Sequence, residues 1–599
     1  MAEAKSRFWL AYASGAFVLT AAMFIQALAT WKNFSTWSVL AVGFTMITIF
    51  VILAWPLKAR LAIGKLAPAS LVRQTAVGIG FGLFSYLVAF PSFNIWAQHF
   101  PTFVLQDLDA GLKFHQDSAF HTSLMQSILN LGYSSTGLSG SPITFYYVVS
   151  HYADALVNLI AGLNPLLSLG LLFHFKKLLV ILAATVFVRE QTKTRSAWFQ
   201  AISFLVLLPV LMGTWHLIGS EGLWFASVLL LLAAPRIWEI IRKRELTTGN
   251  YVFIGLIIYV VTISKLSSGM MLTAFIGAFL VITEFRKLAF WVWSAACVAW
   301  IGFWALVFST SHSTNVKFNP ANVIDFVLLR SQPNAKYVYI FLAVFAVVAF
   351  LIKQKPVTEF FVTTVISAAV MFGMATIFSG SDLLYVQFGY YFSTLMFGIM
   401  FLLDQPVLGS PLNTWQLKVG AAALVAVTSL LPMVSVNLFA TPDQWRGSIT
   451  EINSGYFKLY NRVHHSNVSL AKVLAGAKFD TEASGPMSNF VSKLHEFTSA
   501  NHLTGSNSVL FVSKDIYLNE LSQLGGETWA KGLLVHAITG IPLVNGIYEL
   551  HLGYGFKNYN KSELLTNDVN QVLAKNCGLG KQIVVVESFK NPAFRLGCN

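Results

Sequence analysis

Charge is what this sequence has least of. Asp, Glu, Lys and Arg make up 11% of its 599 residues, less than half of the roughly 25% found in an ordinary soluble domain. With 55% hydrophobic residues and a mean hydropathy of +0.63, a wholly soluble protein is excluded and a polytopic α-helical membrane protein is expected. Cysteine is nearly absent. Three residues are too few for a disulfide scaffold, and no Cys/His spacing reads as a zinc site. Cys297 falls inside an apolar run. Cys577 and Cys598 lie in the polar C-terminal region, where they can pair in an oxidising compartment or stay as two thiols. There is no GxxxxGKS phosphate loop, no GxGxxG after a strand and no GxSxG elbow, which argues against a nucleotide-driven pump. No internal repeat or low-complexity tract is apparent. The formal charge is +14, but the basic residues sit in short loops and form no patch, so nucleic acid is not an expected partner.

What is present is a series of long apolar runs. A helix needs about 20 such residues to cross the hydrocarbon. By that measure about thirteen spans are expected, near 8–30, 37–56, 74–97, 166–188, 196–214, 223–241, 251–264, 267–284, 288–309, 336–352, 357–378, 384–403 and 416–437. The first run exceeds the 7–15 apolar residues of a signal peptide and is read as a span. The 251–284 pair is split at Ser264–Gly269, as one broken helix or two short ones. The basic loops, among them Lys58–Arg73, Arg189–Arg195, Arg242–Arg244, Arg286–Lys287 and Lys353–Lys355, all fall on one side. The positive-inside rule then puts the N-terminus in the cytoplasm. The 100–165 loop and everything after 440 fall outside. The expected organisation is a transmembrane domain over 1–440, carrying that external loop, and a soluble extracytoplasmic α/β domain over 441–599. In the latter, β-like runs occur at Ser508–Ser513, Pro542–Asn545 and Gln582–Glu587, with a helical stretch at Ser562–Lys575.

The 100–165 loop is the longest polar interruption in the first two-thirds of the chain. Asp117 to Leu131 has helical spacing, with Phe120, Leu124, Ile128 and Leu131 on one face and Gly132 as the stop. Thr144 to Leu163 reads as a second amphipathic helix lying on the membrane surface. Ionisable groups near hydrocarbon are expensive and usually functional or paired. Asp117 and His121 are four apart and share a face. A carboxylate held ionised beside an imidazolium can serve as a general base. Asp107 and Asp109 are alternative bases, or oxygen ligands for a divalent cation. No cofactor is required by the sequence, and that cation is the one candidate. Lys265 sits between two apolar runs beside serines and Gly269, where a lipid phosphate would meet an ammonium and a helix start. His216, Glu221 and Asp382 lie at outer span ends and are candidate substrate contacts. Lys176 and Lys177 fall mid-span and should face a protein interior.

The run His115-Gln116-Asp117-Ser118-Ala119-Phe120-His121, then Ser127-Ile128-Leu129-Asn130-Leu131-Gly132-Tyr133, the turn at Gly140-Ser141-Pro142 and Tyr146-Tyr147…Ser150-His151 resembles the first external loop of bacterial GT-C glycosyltransferases. In this chain additional spans precede the equivalent helix. The resemblance covers about 60 residues by motif and the rest by layout. It implies an inverting transferase that uses a polyprenyl-phosphate-linked sugar, with a glycan, lipid or protein acceptor. Asp117 matches the loop acid best, Asp109 next, with His115, Tyr146 and His151 among the substrate contacts. Two other classes remain: a lipid-linked glycan transporter or flippase, and a glycan polymerase or ligase of another membrane fold.

Overall fold

The computed structural model describes residues 116–139, 149–166, single positions between 168 and 191, 221–311 except 245, 355–376, 381–403, 485–520, 530–544 and 568–598 except 578 and 579. These residues are mostly helical. In chain order they form α1 (Gln116–Leu131), α2 (Val149–Ala161), α3 (Glu221–Lys243), α4 (Thr248–Ser264), α5 (Leu266–Glu284), α6 (Leu288–Ser311), α7 (Lys355–Ala375), α8 (Ser381–Leu403), α9 (Pro486–Ala500), β1 (Ser508–Val512), α10 (Lys514–Asn519), α11 (Ala530–Thr539), α12 (Val569–Asn576), β2 (Gln582–Ser588) and β3 (Ala593–Leu596).

Four helices among the described residues are long and apolar enough to cross a membrane: α3, α5, α6 and α7; α4 and part of α8 are shorter apolar helices. Helices occupy all six expected spans from 223 to 309 and from 357 to 403. The spans at 8–30, 37–56, 74–97, 196–214, 336–352 and 416–437, and the expected boundary at 440, lie outside the described residues.

Local chemistry explains the helix ends. Thr247 caps α4, its hydroxyl accepting from the Asn250 amide at 3.3 Å. The split at 264–269 gives two helices joined by one extended residue, Lys265 (φ −156, ψ 109). Its amide still donates to Val261 at 2.8 Å, and its carbonyl already accepts from Gly269 at 3.1 Å. The chain can fold back this sharply because Gly269 has no side chain. A Cβ there would lie 2.6 Å from the Thr262 Cα. Small residues at helix crossings serve the same end in membranes generally. Gly389 of α8 likewise sits against the Ser267 carbonyl, 2.9 Å from where its Cβ would be.

Ion pairs mark one end of the bundle. Glu239 binds Arg236 and Lys243 at 2.5 and 2.6 Å, Arg244 reaches Glu359 across to α7 at 3.0 Å, and Lys287 meets Glu284 at 2.6 Å. The starts of α3, α5 and α8 therefore lie at the opposite end.

β1 and β2 pair in parallel, and β2 and β3 antiparallel. The sheet continues beyond β1. The Leu510 amide donates to the Pro542 carbonyl and its carbonyl accepts from the Val544 amide, both at 2.8 Å; the Leu543 amide donates to the Gly137 carbonyl at 2.6 Å and its carbonyl accepts from the Ser139 amide at 2.8 Å. Alternation across the strands fills two cores. Val509, Phe511, Ile583 and Val585 face α12. Leu510, Val512, Val584 and Val586 join α9, α11 and, from far earlier in the chain, Ala119, Phe120 and Leu124 of α1. Met125 and Ile128 on another side of α1 belong to the core of the helix bundle. Thus α1 is wedged between the bundle and the sheet. Gly132, at φ 76, ends it. Cys577 and Cys598 form a disulfide, their Cα atoms 5.4 Å apart, tying the end of α12 to the segment after β3.

Residues 144–148 of the expected surface helix lie outside the described residues; from Val149 to Ala161 it is helical, and its polar residues His151, Asp154 and Asn158 are buried in protein. Their groups are satisfied by side chains from other segments, so that face does not need water or a membrane surface.

Candidate functional site

The site is built on α1 and α2. Asp117 is the second residue of α1, and His121 lies one turn further on. His121 Nδ1 is 2.8 Å from His151 Nε2, with ring centroids 5.0 Å apart. His151 is fully buried and His121 nearly so. One nitrogen of that contact must donate and the other accept. The pair therefore keeps its bond only while it carries no more than one positive charge. A pair that can share a single proton between two ring nitrogens has the parts of a proton relay.

Polar residues continue along α2 at helical spacing. Asp154, one turn past His151, meets Lys176 Nζ at 2.5 Å. The Lys176 ammonium also lies 5.6 Å from the Trp224 ring centroid. Asn158 accepts from the Ser168 hydroxyl at 2.6 Å and donates to the Asp154 carbonyl at 3.0 Å. The mid-span lysine thus faces the protein interior with a carboxylate against it. Trp224 is at the start of α3, so this polar column lies at the end of the bundle away from the exposed ion pairs.

The start of α5 belongs to that same end. Lys265 is 7% exposed there, and Ser267, the second residue of α5, has a buried hydroxyl without a hydrogen-bond partner. Glu221 begins α3 and Asp382 is the second residue of α8, so both helix starts lie at this end. Asp107, Asp109, His115, Tyr146 and His216 lie outside the described residues. The structure therefore joins His121 to His151 directly. It assigns Asp117, Lys265, Glu221 and Asp382 to helix starts at or beside one end of the bundle. Among the described residues no group of three or more His, Cys, Asp or Glu could hold a metal ion. The expected cation ligands, Asp107 and Asp109, are not among them.

A second buried contact, between Ser127 and His536, joins α1 to α11. His536 Nδ1 lies 3.1 Å from the Ile541 carbonyl and Nε2 lies 2.9 Å from the Ser127 hydroxyl, which also donates to the Ser135 carbonyl at 2.7 Å. Full burial pushes the His536 pKa down to about 4, so the imidazole is neutral. A hydroxyl beside an oriented imidazole has the parts of an activated nucleophile, but both side chains are completely enclosed. Around them Ser123 donates to the Leu533 carbonyl at 3.0 Å and Gln126 to that of Ala537 at 3.1 Å. Gly137 packs on the His536 ring, at 2.3 Å from its would-be Cβ. This contact is a strut.

No family model, no curated protein and no solved structure matches this chain.

The sequence did not single out Asp154, Asn158, Ser127 or His536. The α2 residues carried a signal: polar groups at His151, Asp154 and Asn158, three and four apart, on an apolar helix. The α1–α11 seam carried none, because its partners are about 410 residues apart.

Proposed function

We propose that this chain is an inverting membrane glycosyltransferase of the GT-C kind, moving a sugar from a polyprenyl-phosphate donor to an extracytoplasmic glycan, lipid or protein acceptor in the bacterial cell envelope. About thirteen spans carry the site, and the α/β region after residue 440 lies outside the cell membrane. In this reading Asp117 takes the proton of the acceptor hydroxyl, with Asp109 as the alternative base. The His121–His151 pair accepts or relays that single proton. Lys265 offsets the charge of the leaving lipid phosphate at the start of α5, the kind of fixed charge that stabilises a phosphate leaving group.

One observation carries the reading. The helix with Asp117 as its second residue has His121 within hydrogen-bond distance of His151 and is buried between bundle and sheet, at the end of the bundle where Lys265 precedes α5. The Cys577–Cys598 disulfide also suits an oxidising compartment for the C-terminal region.

The test is sugar transfer from a polyprenyl-phosphate donor in membranes carrying Asp117→Asn. Loss of a positioned base removes about 10²–10⁴ in rate, with the protein still folded. Normal turnover in that variant, together with an inactive Asp109→Asn, moves the base upstream. Normal turnover in both removes the proposal.

A lipid-linked glycan transporter is the second reading, favoured by the buried Asp154–Lys176 pair, since intramembrane ion pairs often mark transport paths. Movement of an intact lipid-linked sugar across vesicles without any glycosidic bond being broken would select it.

A further inference from the structure

A groove of about 710 Å³ runs between α4 and α6, on the outside of the bundle, and nothing in the proposed transfer uses it. Its size is within the roughly 300–1,000 Å³ of ligand sites. Tyr251, Gly255 and Tyr259 form one wall; Trp293, Ala296 and Trp300 form the other. From Thr248 to Tyr259 it extends about 16 Å at about 1.5 Å per residue. It starts at the ion-paired end, between Thr248 and Leu288, and Tyr259 stacked on Trp300 at 4.1 Å lies at its inner end. Gly255 leaves room for the Trp293 indole, whose Nε1 would be 3.3 Å from a Cβ there.

Two features say what fills it. First, Trp293 Nε1, Trp300 Nε1 and the Tyr251 hydroxyl are buried in or beside the groove with no hydrogen-bond partner among the described residues. Such groups are costly unless something accepts from them. Secondly, two cations, Arg286 and Lys287, directly precede Leu288, which lines the groove's outer end. Lys287 neutralises the buried Glu284 at 2.6 Å. Arg286 is exposed over the Phe285 ring, 5.3 Å from its centroid, with no carboxylate partner among the described residues. The wall is otherwise apolar, and its rim residues Leu288 and Val292 are 78% and 62% exposed. A long apolar channel with acceptor-seeking indoles partway down and an unneutralised guanidinium at the top matches an acyl chain, an ester carbonyl and a phosphate in that order.

We propose that the α4–α6 groove binds one chain of an anionic glycerophospholipid, its phosphate on Arg286 and its ester carbonyl on Trp293 Nε1, in the leaflet facing the basic end of the bundle. The site is independent of the sugar-transfer reading and stands or falls without it.

The test uses the full chain in detergent, titrated with phosphatidylglycerol and phosphatidylcholine and read by native mass spectrometry. One phosphatidylglycerol should bind in preference to phosphatidylcholine. Arg286→Ala should reduce that preference about five-fold, the usual worth of one cation beside an anionic headgroup. Ala296→Trp, which fills the groove, should remove the bound lipid. Equal binding of the two lipids by the unaltered chain overturns the proposal, as does undiminished binding in Ala296→Trp. A dimer that Ala296→Trp dissociates would assign the groove to a second copy and also overturn it. Should Ala296→Trp fail to fold, quenching by phosphatidylglycerol with brominated chains decides. It should fall in Trp300→Phe relative to the unaltered chain, and equal quenching in both rejects the site.

Discussion

At the basic end of the bundle Lys243 meets Glu239 at 2.6 Å, with side chains 37% and 28% exposed. At the other end Lys176 meets Asp154 at 2.5 Å, with side chains 3% and 4% exposed. The residue types and separations are nearly the same, and the surroundings are opposite. An exposed pair gains little, because water and salt screen it and two long side chains must be held still. A buried pair has lost its hydration, so each charge depends on the other. The exposed end can lose a partner and rehydrate the survivor. The buried end cannot, so its geometry is held. The second condition is the one that chemistry needs, and it is where His121, His151 and the start of α5 are found.

The comparison is broken most directly by removing one member of the buried pair. Lys176→Ala or Asp154→Ala should each cost about 3–5 kcal/mol by leaving an uncompensated buried charge. The measurement is the denaturant midpoint of the full chain in detergent. Asp154→Leu combined with Lys176→Met should recover most of that loss, because the apolar pair needs no hydration. A single variant as stable as the unaltered chain would mean that water reaches this end and that the two ends do not differ.

A smaller effect extends the buried character to the seam between α1 and α11. His536 has its pKa lowered from the ordinary 6.5 to about 4 by burial. The unfolded chain therefore takes up a proton there at a higher pH than the folded one. Stability from this group is complete above about 6.5 and is lost as pH falls toward 4, by about 2 kcal/mol at pH 5 and about 3 at pH 4. The thermal midpoint of the unaltered chain should fall between pH 7 and pH 5 by more than that of His536→Gln. Parallel falls would mean that His536 is charged in the folded state.

Much of this fold was legible in the sequence, for a physical reason. An apolar run of span length has few other uses, so all six runs within the described residues are helices. SVLFV and QIVVVES are strands because β-branched and aromatic residues fit a buried pleat. Gly132 ended α1 because a residue with φ 76 there meets no Cβ penalty. What the sequence did not disclose is what satisfies a polar face. Ser123, Gln126 and Ser127 read as the wet side of an amphipathic helix, yet they bond to α11. His151, Asp154 and Asn158 gave α2 a polar face that reads as membrane-surface, yet it is closed by His121, Lys176 and Ser168. Hydrophobic periodicity reports which way a face points relative to apolar matter. It does not report whether the other side meets water or a distant segment. The candidate site was legible as a place, the helix with Asp117 and His121, and illegible as a geometry, because its second imidazole and its buried ion pair come from other segments.

The smallest effect belongs to the exposed end and sharpens the comparison from below. Glu239 accepts hydrogen bonds from both Lys243 and Arg236, at 2.6 and 2.5 Å, but these contribute little stability, since all three side chains keep contact with solvent. Lys243→Ala removes an i,i+4 partner while Arg236 still faces the same carboxylate at 2.5 Å. The expected loss is about 0.3–0.5 kcal/mol, and it should shrink further in high salt. The measurement is the same denaturant midpoint in low and high salt, set beside that of Lys176→Ala. A loss at Lys243 that matches the loss at Lys176, or that salt does not reduce, would mean the rim is as dry as the interior. Burial would then no longer explain why the two lysines differ.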